Sequence, residues 1–244
     1  MRKFKFIFLF VVIFLAQNVK ANNYYYTNGS VSLTEREYNY VVQFYGTEYL
    51  ENMTIDEYNW LTQLNVNNND FEIKVADVNV DNGMLSPYST VVTSNEKRIA
   101  ISKSCSDLYC SITTLVTWLN QPTIKSYDVI GARFVNTTLY NNSITTLLTT
   151  SSGTTIESNY KNYYNGFGNS VKLPSSDIIN SIEQRFKVNK NGTIYASYQH
   201  ATSNVTLSTS KLYNISSSGY GSVFNFTGNA YGKYDGSLGV YIQL

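Results

Sequence analysis

The sequence predicts a mainly β protein: an antiparallel β-sandwich of jelly-roll type with a small N-terminal helical hairpin. Three observations predict it. From Phe71 onward, β-branched and aromatic runs alternate with turn clusters at short intervals, as in sandwiches and barrels. Ahead of that stretch lies a twenty-residue repeat carrying helix-start signals. No strand-like run is followed by a long amphipathic helix, which excludes a parallel α/β sheet. Composition agrees with a folded chain, since 22 Tyr and 12 Phe among 244 residues oppose disorder. Three Pro and 14 Gly exclude a collagen-like chain.

Residues 1–21 read as a secretory signal. Arg2, Lys3 and Lys5 form a basic start, 6–16 an apolar run, and Val19-Lys20-Ala21 a small-x-small cleavage site. Such a run falls short of the ~20 residues a membrane span needs. With cleavage after Ala21, 14 basic and 17 acidic residues remain, a net charge of −3. A slightly acidic surface with scattered lysines is no footprint for nucleic acid or anionic lipid. The expectation is a secreted protein without an integral membrane segment, released or held non-covalently at a surface.

Residues 22–66 form the helical segment. Leu33-Thr34-Glu35-Arg36-Glu37-Tyr38 matches Met53-Thr54-Ile55-Asp56-Glu57-Tyr58 at an offset of twenty. Each copy places Thr three residues before Glu, the capping box that satisfies the free amides of a first helical turn. Tyr38, Val41, Val42 and Tyr45 follow at helical spacing. A hairpin over 34–64 is expected, broken at Gly46, with the Asn-rich run 65–70 as linker.

Residues 71–244 form the sandwich domain. The expected strands are 72–80, 88–93, 98–102, 111–119, 126–139, 170–173, 182–188, 193–200, 205–212, 221–227 and 237–244. Turn signals separate them, including Asp81-Asn82-Gly83, Asn165-Gly166, Asn191-Gly192, Ser218-Gly219 and Asp235-Gly236. The Ser/Thr-rich stretch 143–158 is expected to be an exposed loop. Cys105 and Cys110 are an even pair in an exported chain without histidine neighbours, which favours a disulfide over zinc. The bridge would staple a tight connection between two strands.

Four stretches carry a resemblance: the Leu-Thr-x-x-Glu-Tyr repeat, Ser126-Tyr127-Asp128-Val129-Ile130-Gly131-Ala132-Arg133-Phe134, Asn165-Gly166-Phe167-Gly168-Asn169-Ser170, and Ala196-Ser197-Tyr198-Gln199-His200-Ala201. Together they resemble uncharacterised secreted proteins of low-GC Gram-positive bacteria. The resemblance spans nearly the whole mature chain and implies export, but no activity or catalytic residues.

No motif defines a reaction. His200 is the only histidine. On a strand it faces away from Ser197 and shares a face with Tyr198, so a tyrosine–histidine hydrogen bond is expected before a triad. Asp77-Val78-Asn79-Val80-Asp81-Asn82-Gly83 has the oxygen spacing of a calcium loop. It lacks glycine at position six and glutamate at position twelve, so a hairpin turn explains it better. No metal and no cofactor is expected.

What remains is an aromatic and amide-rich surface. Tyrosine joins a flat apolar face to a hydroxyl, which suits sugars and polymer surfaces. The sequence therefore points to a secreted non-catalytic binding protein for a cell-surface glycan, wall polymer or protein. Its expected contacts are Tyr160, Tyr163, Tyr164 and Phe167, with Tyr220 and Tyr231 as companions. The alternative is a β-rich membrane-active toxin inserting 143–158, to which a short similarity of 198–207 to lactococcin-type bacteriocins adds. An extracellular hydrolase ranks third, its carboxylate pair being spatial rather than sequential.

Overall fold

The computed structural model describes residues 24–64, 66, 71–74, 77–79, 91–93, 96–217, 222–236 and 238–244. The signal at 1–21, the turn at Asp81-Asn82-Gly83, Tyr220 and the linker 65–70 apart from Val66 lie outside these residues.

The chain opens with a short hairpin, β1 (Tyr26–Asn28) and β2 (Val31–Leu33), that sequence periodicity does not announce. Three helices follow: α1 (Glu35–Phe44), α2 (Thr47–Asn52) and α3 (Ile55–Gln63). The repeat becomes α1 and α3, and both capping boxes form. Thr34 Oγ1 accepts the Glu37 amide at 3.3 Å, while the Glu37 carboxylate accepts the Thr34 amide at 2.8 Å. Thr54 and Glu57 repeat the arrangement at 3.3 and 2.7 Å. The expected two-helix hairpin is corrected to three helices. Gly46, at φ +96°, breaks the chain after α1, and extended Met53 breaks it again before α3.

The rest is β-structure in chain order β3 (Glu72–Lys74), β4 (Asp77–Asn79), β5 (Val91–Thr93), β6 (Lys97–Cys105), β7 (Tyr109–Trp118), β8 (Tyr127–Val135), β9 (Thr145–Thr150), β10 (Gly153–Glu157), β11 (Tyr160–Tyr163), β12 (Gly166–Lys172), β13 (Ile179–Asn189), β14 (Thr193–Gln199), β15 (Tyr213–Ile215), β16 (Phe224–Phe226) and β17 (Leu238–Gln243). One sheet runs β10-β9-β13-β7-β6-β5-β4, with β3 on the far end of β6. The other runs β11-β12-β8-β14-β17. All described pairings are antiparallel except β4 with β5.

The sheets pack face to face through alternate residues of each strand. Ile99, Ile101, Ile112, Val116, Ile182 and Phe186 from one sheet meet Ile130, Ala132, Phe134, Phe167, Val171 and Ile194 from the other. Both outer faces are also covered. The helices sit on the first sheet through Ala100 and Leu115, and Tyr40 shares a hydrogen bond with Ser102 at 3.2 Å. On the second sheet, Tyr213, Val223 and Phe224 pack against Val129. Gly131 and Gly168 make that cover possible. A Cβ on Gly131 would meet the Phe167 carbonyl oxygen and Phe224, and one on Gly168 would meet the Tyr213 ring.

Two expectations are corrected. Stretch 143–158 is not a free loop: β9 and β10 form a hairpin, and β9 pairs along β13 with Leu148 in the core. Threonine is β-branched and suits a half-buried pleated surface, which low-complexity composition conceals. Stretch 205–212 is not a strand. It contains α4 (Leu207–Ser210), where the Thr206 hydroxyl accepts the Thr209 amide at 3.3 Å.

Cys105 and Cys110 form the disulfide, closing the β6–β7 turn where the two residues are register partners. A short loop restrains the unfolded chain less than a long one, so replacing both by serine should cost about 1–3 kcal/mol. Urea unfolding of the double variant measures this. Labelling of both thiols in freshly prepared, denatured and unreduced protein would contradict the bridge.

Candidate functional site

A groove of about 480 Å³ runs between the helices and the outer face of the first sheet. Its wall carries Glu48, Tyr49, Asn52 and Glu57 from α2 and α3. Its floor is hydroxyl- and amide-rich: Thr117 from β7, Thr149 from β9, Thr154 from β10, and Asn180 and Ser181 from β13. Register explains the floor. Thr117, Ser181, Thr149 and Thr154 are successive partners across four strands, so period-two alternation sends all four to one face.

The wall is held from behind. Tyr49 stacks on Tyr45 at 4.4 Å, and the Tyr45 hydroxyl donates to Glu183 at 3.0 Å. Arg185 grips the same carboxylate at 2.6 and 2.9 Å and lies 4.1 Å from the Trp60 ring. Burial, with the Glu183 charge adding to it, pushes both phenols well above their usual pKa. They remain hydrogen-bond donors at any physiological pH. Among the described residues, the groove's lining includes Glu48 and Glu57 but no lysine or arginine. It therefore suits a ligand rich in hydroxyls and amides and repels polyanions. A second cleft of about 460 Å³ flanks the other side of the β9–β10 hairpin and shares Thr150 and Thr154 with the groove.

Of the tyrosines singled out in the sequence, Tyr160, Tyr163, Tyr164 and Tyr231 lie among the described residues. Tyr160 on β11 and Tyr164 in the following turn are exposed, and Tyr231 projects after the 3-10 turn at Gly228–Ala230. No described ring contact joins these three. Tyr163 is half-buried, its hydroxyl donating to the Tyr213 carbonyl. Phe167 is a correction: it is 0% exposed in the inter-sheet core, 5.1 Å from the Phe186 ring. Glycines on either side of it mark a strand that another layer covers closely, not an open loop. The groove residues were missed because their only sequence signal is the threonine richness of 145–155, which comes in pairs rather than in alternation.

A buried polar cluster occupies one end of the sandwich. Asp128, at the start of β8, accepts the Tyr198 hydroxyl, the Ala201 amide at 2.9 Å and His200 Nδ1 at 2.9 Å. The tyrosine and histidine thus meet through a carboxylate rather than directly. Trp118 stands edge-on to His200 at 4.9 Å. Aspartate orienting histidine supplies two of the three members of a hydrolytic triad. Among the described residues no serine, threonine or cysteine is hydrogen-bonded to the His200 ring, and Ser197 faces away, accepting the Val223 amide at 3.0 Å. No group of three or more His, Cys, Asp or Glu among the described residues is placed to hold a metal. Of the calcium-like stretch, only 77–79 is described, and it forms β4.

Fold and groove together define a β-sandwich with a helix-walled cleft. No known protein family and no curated protein matches the chain. Among solved structures, it is similar to the collagen-binding subdomain of the Enterococcus faecalis surface protein ACE: 11% identity, TM-score 0.29, over 54% of this chain and 85% of that one. A weaker likeness is to AvmM, which catalyses macrocyclization in alchivemycin A biosynthesis: 7% identity, TM-score 0.21, over 36% of this chain and 62% of that one. At such scores neither defines a ligand or an activity here.

Proposed function

We propose that this is a secreted, non-catalytic binding module that takes a neutral glycan of a cell surface or wall in the groove between helices and sheet. The observation that carries the reading is the groove's lining of tyrosine, amide and hydroxyl groups, acidic and, among the described residues, without cations. Sugars present hydroxyls to such groups and apolar ring faces to tyrosine. An anionic wall polymer would meet Glu48 and Glu57 unopposed. The disulfide fits an oxidising compartment, and no helix among the described residues is long and apolar enough to cross a membrane.

The membrane-insertion alternative loses support, because the segment it requires is already paired along β13 with Leu148 in the core. Releasing it would break a sheet. A glycan array probed with the mature protein tests the proposal. Retention on neutral oligosaccharides, and not on phosphorylated or sulfated ones, is the expected result. Binding only to anionic glycans, or to none with folded protein, would overturn it.

A further inference from the structure

Lys97 is a buried lysine. It begins β6, is 3% exposed, and its Nζ meets Asp235 Oδ2, just ahead of β17. Aromatic rings wall the amine: Nζ lies 5.3 Å from the Trp118 centroid and 5.6 Å from that of Tyr198. The other carboxyl oxygen, Oδ1, accepts the backbone amide of His200 at 2.8 Å. Asp128 fixes that amide's neighbourhood by holding the His200 ring and the Ala201 amide. Asp235 itself is 24% exposed, which leaves a path outward for a small leaving molecule.

This is more than an ion pair needs. Two opposite charges taken from water lose hydration that their attraction only partly restores. Desolvation raises the Asp235 carboxyl pKa, even against the lowering by Lys97 and the His200 amide. An amine held against a carboxyl group brings together the two functions that an amide joins. Held in contact, such groups react with effective molarities of about 10^5–10^8 M when well oriented.

We propose that Lys97 and Asp235 condense after folding into an intramolecular amide, joining the first residue of β6 to the segment that leads into β17. The Nζ lone pair attacks Asp235 Cγ, forming the N–C bond. Negative charge develops on Oδ1, where the His200 amide donates, as in an oxyanion hole. The Cγ–Oδ2 bond then breaks, and Oδ2 leaves as water with two of the three ammonium protons. Nothing is oxidised or reduced, and no co-reactant is consumed. With the disulfide at the far end, β6 is pinned covalently at both ends.

Intact mass of the full mature chain, reduced and denatured, tests this together with a tryptic map. The expected mass is one water below that of the sequence. The map should show a branched peptide joining the flanks of Lys97 to those of Asp235, with no cleavage after Lys97. Lys97→Arg keeps the charge pair but forms no amide, and should show the full mass. An unmodified mass with cleavage after Lys97 overturns the proposal. So does a lost water with Lys97 still cleaved, which would mark a succinimide at Asp235-Gly236 instead.

Discussion

Replacing Asp128 by alanine is expected to destabilise the protein by about 3–5 kcal/mol, the cost of breaking a buried polar pair by removing one partner. Asp128 is fully buried and satisfies the Tyr198 hydroxyl, the His200 ring and the Ala201 amide at once. Without it three donors face an apolar layer, each with its own desolvation penalty. Those penalties are not additive, because the neighbours relax together. Urea unfolding measures the loss. Asp128→Asn should cost less, since its amide oxygen still accepts while its NH2 opposes the remaining donors. If alanine cost under about 1 kcal/mol, in the range of a surface ion pair, the cluster would not be structural.

The second large effect is expected at Phe167. Truncation to alanine should cost about 3–5 kcal/mol, because the cavity between the sheets can close only partly. The ring touches Phe186 and Phe134, one from each sheet's contribution to the core. For a chain of this size the corresponding fall in melting temperature is roughly 6–20 °C. Had Phe167 been a ligand contact, alanine would leave stability nearly intact and remove binding. Thermal unfolding without ligand separates the two outcomes.

What was legible in the sequence was local. Capping boxes at Thr34 and Thr54, the short cysteine loop and the alternation along β6, β7, β13 and β14 each declare themselves within a few residues. The hairpin β9–β10 did not, because threonine serves equally well in a polar loop and in a strand whose far side is buried. Phe167 was misplaced for a related reason. Glycines beside an aromatic suggest an open turn, whereas Gly168 is there because Tyr213, 45 residues later, lies against it. The groove was hidden because it joins α2 and α3 to residues of four strands, and only the sheet register brings Thr117, Ser181, Thr149 and Thr154 into one row. Asp128 and His200, 72 residues apart, meet for the same reason.

Exposed residues allow the groove to be blocked without touching the core. Asn52 lines its wall and Asn180 its floor, and both are solvent-exposed. Asn52→Arg with Asn180→Arg would fill it with two long cations while leaving the packing behind Tyr49 intact. The most direct measurement is retention of this double variant on a neutral cell-wall glycan preparation, against wild type and a Tyr160→Ala, Tyr164→Ala, Tyr231→Ala triple variant of equal melting temperature. Loss of retention of tenfold or more, about 1.4 kcal/mol, in the groove variant alone is the predicted result. Unchanged retention there, with loss in the tyrosine variant, would contradict the account.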